Sequence, residues 1–384
     1  MRIEAGWLRA TGPTAVFNLL EQAGYKAYFV GGCVRNALLE KPISDIDMAT
    51  DALPETVMTL AKDNGLRTIP TGIEHGTVTF LVDEQTVEVT TFRKDIKTDG
   101  RRAVVVFSAA MEDDAKRRDF TMNALYADRY GTILDPLGGL KDLRAGRVLF
   151  IENPEDRIRE DYLRILRFFR FHALYGNPDA GIDADALNAC AQNLDGIDNL
   201  SKERIGHEIR RLLGADNPAP SIAAMAQTGV LNRVIKGADH CAIAPLVHLE
   251  RSLDLPPSWM RRLLALGGQD VKDALRLSKH EARLLAAMRI AVTNALSPRI
   301  AAYKLGFEAA QDAFLVLCAH LGNPLPTDLN LELSIGAKAK FPVGSIDLAG
   351  NFSGPALGAR LKRLETTWIS SGLQLSKDEL LSQD

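Results

Sequence analysis

YFVGGCVRNALLEKPISDIDMATD, residues 28–51, sets two strand-like runs around a glycine pair, an arginine and two aspartates. The first run, Ala27–Val30, is apolar and reads as a strand. Gly31 and Gly32 follow it, then Arg35 and a helix-like NALLE. A second strand is expected over residues 43–49, carrying Asp45 and Asp47. Side chains alternate along a strand, which places both aspartates on one face and Ile46 on the other. Two neighbouring carboxylates repel each other and are costly without a cation. Oxygen ligands of this kind suit Mg²⁺. A glycine pair lets backbone N–H groups approach a bulky anion closely. A phosphate loop with an arginine, next to a metal-binding carboxylate pair, reads as nucleotidyl transfer.

In this order the string GGCVRN…SDIDMAT resembles the head-domain signature of the class II tRNA nucleotidyltransferase and bacterial poly(A) polymerase superfamily. That family usually carries Asp after the arginine. Here Asn36 keeps the capacity to hydrogen-bond and loses the charge. The expected fold is an α/β nucleotidyltransferase head with a small mixed sheet, followed by an all-helical neck, body and tail. The expected domains are a catalytic head at 1–140, a nucleotide-selecting neck at 141–215, a helical body at 216–325 and a tRNA-contacting tail at 326–384.

Composition agrees with a globular chain of this kind. With 384 residues, more than one domain is expected. Hydrophobic residues make up 46% and charged residues 25%. A net charge of −3 gives no global basic field, so RNA contact requires local basic stripes. The four cysteines lie far apart without a CxxC, and His240, His248, His280 and His320 show no metal-ligand spacing. Reduced thiols in a cytoplasm and no zinc site are therefore expected. The N-terminal residues lack the apolar core of a signal peptide. No run approaches the ~18–20 apolar residues that span a bilayer, so no membrane partner is expected. Nothing in the sequence signals a protein partner.

Thr77–Val82 and residues 86–92 read as strands of one hairpin. Glu88 shares a face with Thr90, opposite Val87 and Val89. It reads either as a third metal carboxylate or as an ion-paired surface residue, and the resemblance, through EVTTFR, favours the site. Residues 93–103 are polar, basic and glycine-containing, which predicts a mobile loop. The resemblance implies that this segment is a lever that shifts nucleotide preference. Residues 113–128, DDAKRRDFTMNALYAD, crowd polar groups beside apolar Phe120, Met122, Ala124 and Leu125, which predicts a half-buried segment. RRDFTMNA matches the family motif and implies that Arg117, Arg118, Asp119 and Asn123 handle the ribose and phosphates. Arginines suit phosphates through paired donors, and a carboxylate suits ribose hydroxyls.

From Pro154 onward, Ile158, Tyr162, Ile165, Leu166 and Phe169 recur at helical spacing, which predicts one helix through this segment. Asp161 and Arg164 would then be neighbours on one helix face. By themselves they read as an intrahelical ion pair. The resemblance of EDxxRxxRxxRF to the family's nucleotide-selecting motif implies instead that Asp161, Arg164 and Arg167 meet the nucleotide. Arg204 and Glu208, behind Ser201, read as a structural i,i+4 pair, and the segment LSKERIGHEIRRLL resembles the family's last motif, which implies that it braces the neck. In the tail, Lys338, Lys340, Arg360, Lys362 and Arg363 suit RNA phosphates or serve as solubilising charge.

The resemblance implies template-independent addition and repair of the 3′-terminal CCA of tRNA, using CTP and ATP. Asp45 and Asp47 would hold two Mg²⁺ ions with Glu88 as a further ligand, and Gly31, Gly32 and Arg35 would grip the triphosphate. Alternatives are a CC-adding or A-adding specialist, a poly(A) polymerase, or an RNA-binding protein whose enzyme head has decayed. The expected partners are the tRNA 3′ end and nucleoside triphosphates, in the cytoplasm.

Overall fold

In the computed structural model, which describes residues 1–83, 85–99 and 102–382, strands form where β-branched and aromatic residues cluster. They are β1 Ala27–Val30, β2 Ile46–Thr50, β3 Arg67–Gly72, β4 Thr77–Val82, β5 Gln85–Thr91, β6 Arg93–Asp99, β7 Arg102–Phe107, β8 Tyr126–Ala127 and β9 Ile133–Leu134. Seven of them make a mixed sheet in the order β3-β4-β5-β2-β1-β8-β9. β2 and β5 run parallel, while β1 is antiparallel to both β2 and β8. Helices α1 Thr11–Gln22, α2 Gly32–Leu38, α3 Pro54–Asp63, α4 Met111–Lys116 and α5 Gly139–Ala145 complete the head.

Three local expectations change. Asp45 lies just before β2, so only Asp47 is a strand residue. The glycine pair is not a loop ahead of a helix: Gly31 caps α2 and Gly32 is its first residue. Residues 93–103 are not an irregular loop, because β6 and β7 pair as a separate two-stranded hairpin, with Gly100 and Arg101 outside the described residues. β6, RKDIKTD, is polar and reads like a loop in sequence; its pairing with β7, RAVVVF, makes it a strand.

The helix expected after Pro154 is also two helices, α6 Pro154–Glu160 and α7 Leu163–Tyr175. Asp161 has extended backbone at φ −152° and its carboxylate accepts the Leu163 N–H at 3.1 Å, an Asx-type bond that competes with the helix. Tyr162 packs where Gly196 has no side chain; a Cβ there would lie 1.9 Å from the Tyr162 ring. α8 Ala184–Gln192 and α9 Lys202–Leu213 follow. An aromatic cluster of Phe120, Phe150, Phe168 and Phe171, with ring centroids 4.9 to 6.4 Å apart, joins the RRDF segment to α7.

The first compact unit comprises Met1–Glu208 with Gln227–Val234. The second, Ile209–Ala226 with Ile235–Asp384, is helical. Its core holds a buried charge cluster in which Glu250 accepts from Arg261 at 2.9 Å and from Arg262 at 2.7 Å. Trp368, on the helix Gly354–Ser370, packs edge-on against Tyr303. Among the described residues no helix is long and apolar enough to cross a membrane.

Candidate active site

β2 and β5 pair in parallel register with Asp47 directly beside Glu88. Asp45, exposed just ahead of β2, accepts from Ser44 Oγ at 2.7 Å. Burial, then Glu88, push the Asp47 carboxyl up to about 6, with Asp45 adding to the rise and Arg118 opposing it. Among the described residues these three carboxylates do not all lie within 4.8 Å of one another, as expected of like charges. The donor set is all oxygen on adjacent elements, half-buried to exposed, and its mutual repulsion is the kind a divalent cation relieves. It fits Mg²⁺.

The turn of the glycine pair adjoins β2: Cys33 Sγ, one residue after Gly32, donates to the Asp47 carbonyl at 3.7 Å. Gly31 has φ 71° and ψ −120°, and a Cβ there would lie 3.1 Å from Arg118 Nη1. Both the backbone angle and the approach of Arg118 favour glycine. Arg35, on α2, is buried and donates to Asn123 Oδ1 at 2.5 Å, Asn36 Oδ1 at 2.8 Å and Tyr175 Oη at 2.8 Å. Asn36, where the family resemblance expects Asp, also donates to the Pro42 carbonyl at 2.7 Å.

The segment after α4 is half-buried, as its mixture of charge and apolar residues predicts. Asp114 is fully buried and ion-pairs with Arg117 at 2.7 Å and Arg118 at 3.0 Å, while Tyr126 Oη donates to it at 2.6 Å. Burial raises its carboxyl, but Arg118 and Arg117 outweigh burial and bring it down to about 2. Asp119 accepts from Arg167 at 2.7 Å, Asn123 Nδ2 at 2.8 Å and the Phe120 N–H at 2.9 Å. Despite burial, Arg167 and these bonds hold it well below the usual carboxylate range. One hydrogen-bonded line therefore runs Tyr175–Arg35–Asn123–Asp119–Arg167.

Asp161 and Arg164 do not pair with each other. Asp161 accepts from Arg204 of α9 at 2.6 Å, and Arg164 pairs with Glu160 across the α6–α7 turn. Arg164 also donates to the Arg157 carbonyl at 2.7 Å and the Arg117 carbonyl at 3.2 Å. Arg157 donates to the carbonyls of Arg117 and Arg118, both at 2.5 Å. The α6–α7 turn is thereby fastened to the RRDF segment. Nor do Arg204 and Glu208 form the expected i,i+4 pair: the buried Glu208 pairs with Arg170 at 2.5 Å. Asp161 and Glu208 each take a tertiary arginine over the local one, while Arg164 takes a different local partner, Glu160.

Sequence reading missed Arg157, Glu160, Asp114, Tyr126 and Tyr175, and it gave Arg204 the wrong partner. The only sequence signal for them was their place inside or beside the quoted motifs. In the second unit, Lys338, Lys340, Lys362 and Arg363 are exposed, while Arg360 is half-buried against Phe352. Asp239, His240 and Cys241 bring ligand atoms within 4.8 Å of one another there, although the Asp239 carboxylate already accepts the Cys241 N–H at 2.9 Å.

Comparison with known proteins places this geometry in context. Residues 27–149 match the Poly A polymerase head domain, and residues 181–241 match the "Probable RNA and SrmB- binding site of polymerase A". The chain is 30% identical to CCA tRNA nucleotidyltransferase 1, mitochondrial, of Mus musculus, over 97% of this chain and 89% of that protein. It is 32% identical to the CCA-adding enzyme of Streptococcus pyogenes serotype M1, over 93% and 92%. The crystal structure of the Bacillus stearothermophilus CCA-adding enzyme in complex with CTP superposes with a TM-score of 0.69 at 29% identity, covering 94% of this chain and 92% of that one.

Proposed function

Because the chain belongs to the class II CCA-adding enzyme family and is a tRNA nucleotidyltransferase, we propose that it builds and repairs the 3′-terminal CCA of tRNA from CTP and ATP, without a nucleic-acid template. The observation that carries this reading is the bonding of the α6–α7 turn to the RRDF segment: Arg157 and Arg164 donate to the carbonyls of Arg117 and Arg118. A base-reading turn is thus tied to the groups that would meet the triphosphate.

In this reading Asp45 and Asp47, with Glu88 beside Asp47, hold two Mg²⁺ ions. Metal ions of this kind lower the pKa of an attacking hydroxyl and neutralise a leaving pyrophosphate. The protein's own groups do the rest. The Gly31–Gly32 turn and Arg35 grip the triphosphate, with Arg117 and Arg118 beside them. Asp119, by holding Arg167 and Asn123, seats the ribose. The RNA 3′-hydroxyl is then held in line with the α-phosphorus, and positioning supplies much of the rate. Asp161 and Arg164 read the base edge. We assign the head to 1–140, the neck to 141–215, the body to 216–325 and the tail to 326–384. Lys338, Lys340, Arg360, Lys362 and Arg363 of the tail meet tRNA phosphates, and the working compartment is the cytoplasm.

The test is incubation of the purified protein with tRNA ending at the discriminator base, with CTP and ATP separately and together. The expected products are C-C with CTP alone and C-C-A with both. A product stopping at C-C with both nucleotides, a long run of A, or no product each refutes the assignment.

A further inference from the structure

We propose that Tyr175 is the positioning residue through which α7 fixes the loop that carries Asp45; this rests on Asp45 being a metal ligand. α7 begins beside Asp161 and Arg164, and its last residue is Tyr175. There the ring lies under two cations, with Arg35 4.1 Å and Lys41 4.9 Å from its centroid. Its hydroxyl accepts from Arg35 at 2.8 Å and lies 3.4 Å from Asn36 Oδ1. Lys41 Nζ donates to the Leu174 carbonyl at 2.5 Å. Asn36 completes the link: its Oδ1 takes Arg35 and its Nδ2 holds the Pro42 carbonyl.

Residues 39–45 are otherwise weakly held. Apart from Ser44 on Asp45, their described bonds are the turn closing α2 and the contacts to Asn36, Leu174 and Tyr175. One helix thus meets the base-reading turn at its start and the carboxylate loop at its end. Asn36 does a job that aspartate cannot do, because a carboxylate has no N–H for the Pro42 carbonyl. Outer residues that orient metal ligands typically change metal affinity by ~10–100-fold when removed.

Tyr175→Phe keeps the ring and removes the hydroxyl, while Asn36→Asp keeps the acceptor for Arg35 and removes the donor to Pro42. The measurements are Mn²⁺ affinity of the full-length protein by water-proton relaxation without nucleotide, amide hydrogen exchange over residues 39–45, and Tm. Both variants are expected to weaken Mn²⁺ binding by about tenfold and to speed exchange in that segment, with Tm held within about 2 °C. Wild-type Mn²⁺ affinity and exchange in both variants overturns the proposal, as does a fall in Tm with exchange raised throughout the head. Asp45→Ala run in parallel separates the two readings: if it binds Mn²⁺ like the parent, the metal assignment itself has failed.

Discussion

Asp47 stands directly beside Glu88 in the parallel pairing of β2 with β5, and burial and Glu88 push its carboxyl up to about 6. A carboxylate whose folded value exceeds its unfolded value of 3.8 costs stability once it ionises. That cost is absent below the unfolded value and grows as pH rises through about 6. In metal-free buffer, Asp47→Asn is therefore expected to raise stability at pH 8 by roughly 2–3 kcal/mol and by less at pH 5. The same variant is expected to incorporate neither CMP nor AMP, while tRNA binding survives. Calorimetry in chelator at the two pH values, with a primer-extension assay, checks both halves. A variant that loses stability at pH 8, or turns over normally in Mg²⁺, contradicts the assignment.

Asp114 behaves in the opposite sense. Arg118 and Arg117 hold its carboxyl at about 2 against the effect of burial. A depressed folded value contributes stability that is fully present above the unfolded value and is lost as pH falls through the folded one. Asp114→Asn removes the counter-charge of two arginines and leaves one acceptor oxygen where two serve Arg117, Arg118 and the Tyr126 hydroxyl. A loss of about 3–5 kcal/mol is expected at pH 7, shrinking as pH falls from about 4 toward 2. Urea denaturation of parent and variant across that range measures it; a difference that does not change with pH removes the ion pair as its cause.

The strands β1, β2, β4 and β5 and the half-buried RRDFTMN segment were legible in the sequence because each rests on local periodicity or backbone chemistry, whereas the glycine pair reads as a loop and is the start of α2. The break at Asp161 was not legible. Its carboxylate is held by Arg204, 43 residues away, and no window along the chain contains both. The apolar spacing from Ile158 to Phe169 continues across the break, so periodicity alone reads one helix. The same holds for Glu208, whose partner Arg170 lies 38 residues away. The hairpin of β6 and β7 was missed for a different reason. β6 carries the polar residues of a loop, and the strand-like run of Val104, Val105, Val106 and Phe107 in β7 starts only after the Gly100 turn signal.

That hairpin carries a further expectation. Two strands outside a larger sheet have little stability of their own. Such an element can be re-aimed at small cost, which suits the lever between CMP and AMP addition that the sequence resemblance implies. Shortening it by matched residues on β6 and β7 is expected to reduce AMP addition several-fold more than CMP addition. Single-nucleotide incorporation with each triphosphate, on tRNA ending before the relevant position, measures the ratio. Equal losses point to a purely structural hairpin.

Selection of the base can be argued from hydrogen-bond patterns. Cytosine and adenine each present an amino donor beside a ring-nitrogen acceptor, whereas uracil and guanine present a carbonyl beside an N–H. A carboxylate from Asp161 and a guanidinium from Arg164 match the first pattern and oppose the second. Such mismatches typically cost ~1–3 kcal/mol per paired contact. The two groups do not share a helix face, so their geometry depends on their braces: Arg204 on Asp161 at 2.6 Å, and Glu160 on Arg164. Arg164→Ala and Asp161→Ala are each expected to lower the ratio of CTP to UTP use by about tenfold. Arg204→Ala leaves both reading groups present and removes only a brace, so it should relax the same ratio by less. The measurement is kcat/KM for CTP, ATP and UTP with each variant, beside Tm. If the three variants lose stability while the CTP to UTP ratio holds, the residues around the α6–α7 turn are structural ties and the base is chosen elsewhere.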